Sequence, residues 1–282
     1  MTTVIQPRWL SFSERAFAFN FIIFSFVMFS CWFPTGFSAT FSTFAFLFAL
    51  PLFFSRIDGV VKISLFEKAG LALFAWLLLS IFWSQASVMD SLGYLSEYRL
   101  YFMVPVLAAA LLYMPDTQKW AFYAAVFGAV IALITSYGLG FGWWKIEGAN
   151  LSLANRIYHG FIMSALLLVA LLVSRHSQGV FRMGAVVVAV LTTYNVLNIE
   201  TGRTGYLQII AVSFIFVVQS FSRLKSAILV LLAVVGVGVA YLSLDQFNAQ
   251  VDQTLANIER TVVNDDYQSS AGYRLEFYHG AI

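Results

Sequence analysis

Charge is what this chain has least of. Charged residues make up 11% of its 282 positions and hydrophobic residues 60%, with a mean hydropathy of +0.82, whereas soluble domains carry about 25% charge. The few charges nearly cancel, 16 basic against 14 acidic. There is therefore no basic field for nucleic acid and no acidic field for a cationic partner. Cysteine is almost absent too: Cys31 stands alone, which excludes an intramolecular disulfide and a cysteine-built metal site. No G-x-x-x-x-G-K-[S/T] run cradles a nucleotide phosphate, and no H-E-x-x-H or Cys/His cluster points to zinc. ATP-driven and zinc-protease roles drop out. Asp265-Asp266 is the one adjacent acidic pair, and Asn264 before it reads as a turn.

What is present in excess is apolar surface, 29 Phe residues included. A soluble fold would expose much of it as aggregating patches, so the expected solvent is lipid. A spanning helix needs about 20 mostly apolar residues. About nine runs approach that length: 16–33, 37–54, 69–83, 100–114, 120–138, 157–173, 183–199, 205–221 and 226–242. The first follows Arg8 and Arg15 and leads into Cys31-Trp32-Phe33-Pro34 rather than a small-x-small cleavage site, so it reads as an anchor and not a signal peptide. The expected fold is an all-α polytopic bundle over 1–242, followed by the start of a large loop over 243–282 outside the membrane.

Basic residues are retained on the cytoplasmic side of short loops. With the N-terminus inside, that side collects Arg8, Arg15, Arg56, Lys62, Lys68, Lys119, Arg175, Arg182, Arg223 and Lys225. The opposite side collects Arg99, Lys145, Arg156, Arg203, Arg260 and Arg274, together with most of the acids. Everything after residue 242 then lies outside. There, Leu244, Phe247, Val251, Leu255, Ile258 and Val262 recur at intervals of three and four, an amphipathic helix suited to the membrane surface. Val88, Leu92 and Leu95 form a shorter version of the pattern within 84–98. The chain closes on Gly280-Ala281-Ile282, which reads as an element cut short.

The outer arginines suggest chemistry. A guanidinium stays charged and presents a fork of donors that matches phosphate oxygens, although arginines at helix ends also snorkel to headgroups for no catalytic reason. Arg203 is the sharpest case, standing in Glu200-Thr201-Gly202-Arg203-Thr204-Gly205-Tyr206 with a glycine on each side, directly before an apolar run. A cation there adds to the positive end of the helix dipole.

The segment Thr201-Gly202-Arg203-Thr204-Gly205-Tyr206-Leu207 resembles the S/T-G/S-R-T/G-G/A motif of the O-antigen ligase and O-antigen polymerase superfamily. Ser269-Ser270-Ala271-Gly272-Tyr273-Arg274-Leu275-Glu276-Phe277-Tyr278 is similar to that family's downstream loop motif, and Asn155-Arg156-Ile157-Tyr158-His159-Gly160 is a weaker third match. The resemblance implies an inner-membrane glycosyltransferase needing neither metal nor cofactor. Its donor is an undecaprenyl-diphosphate-linked glycan, and its acceptor is lipid A core for a ligase or another glycan repeat for a polymerase. It assigns Arg203 and Arg274 to catalysis through the diphosphate, with Arg156 as a further substrate-binding candidate. His159, three residues after Arg156 on the same helical face, is placed to approach the same ligand, but it reads first as a helix-mouth hydrogen-bonding residue. The family's general-base histidine lies further along its pattern, and His279 does not match it. A transporter or flippase of an anionic glycan is the reading of another class, expected to carry ionisable residues deep within its spans. Gly236 and Gly238, in the ninth run, are expected to serve close helix packing.

Overall fold

The computed structural model describes residues 8–30, 35–57, 65–84, 87–112, 114–144, 156–199, 203–243 and 245–264. Every regular element among them is helical. In chain order they are α1 (Arg8–Ser30), α2 (Thr35–Ile57), α3 (Leu65–Ser80) with a 3-10 turn (Ile81–Trp83), α4 (Val88–Glu97), α5 (Leu100–Leu112), α6 (Pro115–Gly140), α7 (Arg156–His176), α8 (Gly179–Tyr194) with a π-turn (Asn195–Ile199), α9 (Arg203–Ser220), α10 (Arg223–Ser243) and α11 (Asp245–Asn264). A helix forms at each of the nine apolar runs. Six hold segments long and apolar enough to cross a membrane: Ser11–Ser30, Phe37–Phe54, Pro115–Gly140, Tyr158–His176, Gly179–Ile199 and Arg223–Ser243. The chain is thus a multi-pass membrane protein.

The other three expected spans, within Lys68–Trp83, Tyr101–Leu112 and Thr204–Ser220, are helices of 10–17 residues. Two have local reasons for being short. α3 tightens into the 3-10 turn, and α5 is bounded by the turn at Tyr98-Arg99 and by Pro115 opening α6. Large side chains lie bare along the helices, Phe54 at 63% and Phe19 at 63% exposure among them. In water such a surface would aggregate; in hydrocarbon it is the solvated face.

The chain divides into two compact units, Met1–Gly128 and Ala129–Ile282. In the first, α1 packs on α2, and α5 packs on both α2 and α3. Ala45 and Ala49, one helical turn apart, let α2 come close, and Phe17, Leu52, Met103 and Val106 fill the core around them. Pro105 inside α5 cannot bond the carbonyl of Tyr101. Gly70 of α3 sits against that same oxygen, where an added Cβ would stand 3.2 Å away. Similarly, a Cβ on Gly128 would stand 2.7 Å from the backbone oxygen of Phe26, so α6 meets α1 backbone to backbone. α4 opens on a cap: Asp90 donates its backbone N–H to Ser87 Oγ (3.1 Å), and the Ser87 hydroxyl donates to Asp90 Oδ2 (2.6 Å).

In the second unit α7 packs on α8 and α9. Gly179 turns the chain from α7 to α8 with φ +61°, and Gly142 ends α6 with φ +71°, a left-handed C-terminal stop in which Trp143 N–H bonds Gly138 O at 2.8 Å. At the far end of the α7–α9 pair, Arg175 Nη1 donates to Ser220 O and its guanidinium lies 5.5 Å from the Phe221 ring centroid. The arginine thereby caps a neighbouring helix's C-terminus.

α10 corrects one expectation. A Cβ on Gly236 or Gly238 would meet nothing within 4 Å. The packed neighbours of α10 are α9 and α11, and its apolar face from Leu224 to Leu242 is exposed, so those glycines face open space. α11 forms where the three-four pattern lies and runs beside the π-turn, with Tyr241 Oη donating to Asp252 Oδ1 at 2.7 Å. Its apolar Leu255 is 59% exposed.

Candidate functional site

The second unit gathers several helix ends at one place. α7 and α9 start there, α6 and α8 finish there, and α11 returns to it. The nearest approach is glycine on glycine: a Cβ on Gly160 would stand 3.0 Å from Gly205 Cα, leaving room for no side chain between the two backbones. Arg156 is the first residue of α7 and Arg203 the first of α9. At 1.5 Å of rise per residue, both starts lie within about one turn of that crossing. The structure therefore brings the backbones of two of the three motif segments together. Arg274, and the whole of 269–278 with it, lies outside the described residues, as do Asp265, Asp266 and His279.

Beneath the crossing is a chain of buried polar groups. His159, 1% exposed, has Nε2 at 3.1 Å from Asn195 Oδ1. Asn195, fully buried, donates its Nδ2 to Ser136 Oγ at 2.9 Å. A carbonyl oxygen only accepts, so the proton of that first bond sits on His159 Nε2. Two more buried acceptors lie nearby in sequence: Thr192 Oγ1, one turn before Asn195, and Gln208 Oε1, one turn after Gly205, neither with a hydrogen-bond partner. The Gln208 oxygen stands 3.3 Å from where a Gly160 Cβ would be. Four helices thus each send an uncharged polar side chain inward. Such groups commonly bond across helices in membranes, and an ionisable one such as His159 within a span also marks a working region.

Asn195 also starts the π-turn, its backbone N–H bonding the oxygens of both Leu191 and Thr192. The wider turn buries Asn195, Val196 and Ile199 together. Val196 lies under Gly205, where a Cβ would come within 3.0 Å of Val196 Cγ1, and Ile199 lies against Gly140, 2.8 Å by the same measure. π-turns occur disproportionately at functional positions. Here the chain runs from one straight into Glu200-Thr201-Gly202-Arg203.

Around this end stands a ring of aromatics. Tyr137 stacks on Tyr194 (6.4 Å, 4°) and on Phe141 (5.6 Å), and donates its hydroxyl to Leu191 O at 2.8 Å. Trp143, 68% exposed, lies 5.4 Å from Phe141. Such residues gather at the membrane–water boundary, where an apolar ring can keep a polar edge wet. Among the described residues, no three His, Cys, Asp or Glu side chains come together as a metal site.

Sequence reading singled out Arg156, His159 and Arg203 but passed over Ser136, Thr192, Asn195 and Gln208. Their signal was available, since each is an uncharged polar residue within an apolar run. What it lacked was a partner, because the bonds close over 36 and 59 residues. No family model matches the chain, and neither a curated protein nor a solved structure does.

Proposed function

We propose that this protein is a multi-pass glycosyltransferase of the bacterial inner membrane, which moves a glycan from an undecaprenyl-diphosphate carrier to lipid A core on the periplasmic side. All nine apolar helices span, with the N-terminus cytoplasmic and the end holding the α7–α9 crossing facing the periplasm. One feature supports that orientation, the basic cluster Arg175, Arg182, Arg223 and Lys225 at the end away from the crossing.

The observation that carries the reading is the meeting of the α7 and α9 starts at Gly160 and Gly205. It gives two motif arginines, far apart in sequence, a common place to act. In the proposed reaction the acceptor hydroxyl attacks the anomeric carbon and releases its proton to water, the bond to the diphosphate oxygen breaks with its electron pair leaving on that oxygen, and negative charge grows on the departing lipid diphosphate. Arg203 and Arg274 offset that charge, which stabilises the transition state more than the ground state. Arg156 holds the same diphosphate. Neither metal nor nucleotide takes part. α11, lying in the outer interface, roofs the site.

The test uses the full-length protein in vesicles supplied with an undecaprenyl-diphosphate-linked glycan and lipid A core, with products separated on a gel. Wild type is expected to form capped core, and Arg203→Ala to lose about 100-fold in rate. Lengthening of the carrier-linked glycan would make the protein a polymerase. Movement of the glycan across the vesicle without transfer would make it a flippase and end the transferase reading, and full activity in Arg203→Ala would end the role given to that arginine.

A further inference from the structure

We infer that His159 is a positioning residue: through Asn195 it fixes the π-turn, and through the π-turn the setting of the α9 start that carries Arg203. The inference rests on the transferase reading but adds a role which that reading does not require.

A line of contacts leads from the imidazole to the start of α9. The His159 imidazole is buried in the bundle and bonds Asn195 Oδ1 at 3.1 Å. That bond and the one from Asn195 to Ser136 (2.9 Å) hold the side chain of the first π-turn residue on two sides. The next residue, Val196, is fully buried and lies beneath Gly205. Gly205 stands two residues beyond Arg203 and touches Gly160, the residue after His159. The line therefore returns to where it began: α7 holds α9 directly through its glycine and indirectly through its histidine, by way of α8. Removing the histidine's donor leaves Asn195 with a buried, unpaired oxygen. Thr192, one turn away and carrying an unpartnered hydroxyl, offers the amide another bond. The π-turn then has a second arrangement to settle into, and Val196 shifts under Gly205. A displacement of about 1 Å in a positioned group is enough to cost about 100-fold in rate.

A donor at that point is all the proposal asks of the ring, so glutamine is the discriminating substitution. His159→Gln keeps an N–H for Asn195 and removes the imidazole; His159→Leu removes both. In the vesicle assay His159→Leu is expected to lower kcat about 10- to 100-fold with KM for the lipid-linked donor little changed, and His159→Gln to recover most of the rate. Because the effect passes through Asn195, adding Asn195→Leu to His159→Leu should cost little more. Full activity in His159→Leu overturns the inference, as does a folded His159→Gln as poor as His159→Leu, since the imidazole would then act by itself.

A second measurement does not depend on transfer. With Cys31 replaced, spin labels at Tyr158→Cys and Leu207→Cys, both exposed positions on α7 and α9, report the separation of the two helix starts. His159→Leu should broaden or shift that distance distribution and His159→Gln should restore it. An unchanged distribution in His159→Leu overturns the inference. If wild type transfers nothing while the distances respond, the transferase reading fails and the positioning role stands.

Discussion

Both units of this protein bond hydroxyls to carbonyls of their own helices, Ser164 to Gly160 in the second for example, but the second adds a buried polar chain between helices. In the first, the side chains of Asn20, Ser25, Ser30, Ser42 and Thr43 donate to carbonyls of their own helices, three or four residues back. These bonds hold no helix to another. Helix association there comes from shape, with Phe17 and Leu52 packed against a stripe of alanines and Gly128 meeting the backbone of α1. In the second, His159, Asn195 and Ser136 bond across three helices, and two buried acceptors nearby have no partner. Lipid tails are as apolar as leucine, so a bundle needs only close packing to hold together. The polar chain in the second unit adds hydrogen bonds between helices to that packing, and it lies beneath the motif crossing.

The contrast can be broken by substitution. Phe17→Ala should have the largest effect on stability, about 3 kcal/mol from lost contacts and a cavity, read by denaturant unfolding in detergent micelles. It should leave the transfer rate per folded molecule unchanged. Asn195→Leu should cost less stability, about 1–2 kcal/mol, but far more activity; equal activity losses in these two variants would dissolve the distinction between the units. Arg175→Ala removes a cap and a ring contact at the opposite end of the second unit. A drop of about 1 kcal/mol in the same unfolding measurement is expected, with activity per folded molecule retained. The smallest effect belongs to Gly236→Ala on α10, within about 0.5 kcal/mol and on the stabilising side, because a methyl there meets open space and alanine favours the helix. A clear destabilisation would show that α10 is covered.

Much of the fold was legible because lipid makes a simple demand: a span must be long, apolar and helical. All nine runs yield helices, and six of these are long and apolar enough to span. Their ends were less legible, since polar residues stay helical beyond the hydrocarbon: α1 starts at Arg8, whereas its apolar run begins at residue 16. α4 and α11 were readable from three-four spacing alone. The π-turn was not, because Asn195–Ile199 has the composition of the span it ends, and an extra residue per turn leaves no trace in hydropathy. The site was half legible. Arg203 and Gly205 stand in one short segment, and Arg156 and Gly160 in another, whereas the bonds of His159 depend on residues that only folding brings near. Gly236 and Gly238 show the reverse error, a packing motif read from sequence where, among the described residues, nothing comes within 4 Å of an added Cβ.

Arg175 has a consequence for how the protein is made. The carbonyl it bonds belongs to Ser220, 45 residues later in the chain, so when α7 leaves the ribosome its guanidinium has no helix end to hold. The glycine seam at the other end of the same pair is equally unfinished until Gly205 arrives. α7 is thus complete only when α9 is, and α8 lies between them in sequence. Docking of α7 should accordingly wait for α9: in a nascent chain stopped after α8, α7 lacks both the carbonyl that Arg175 holds and the glycine seam, and both form only once the chain extends past Ser220.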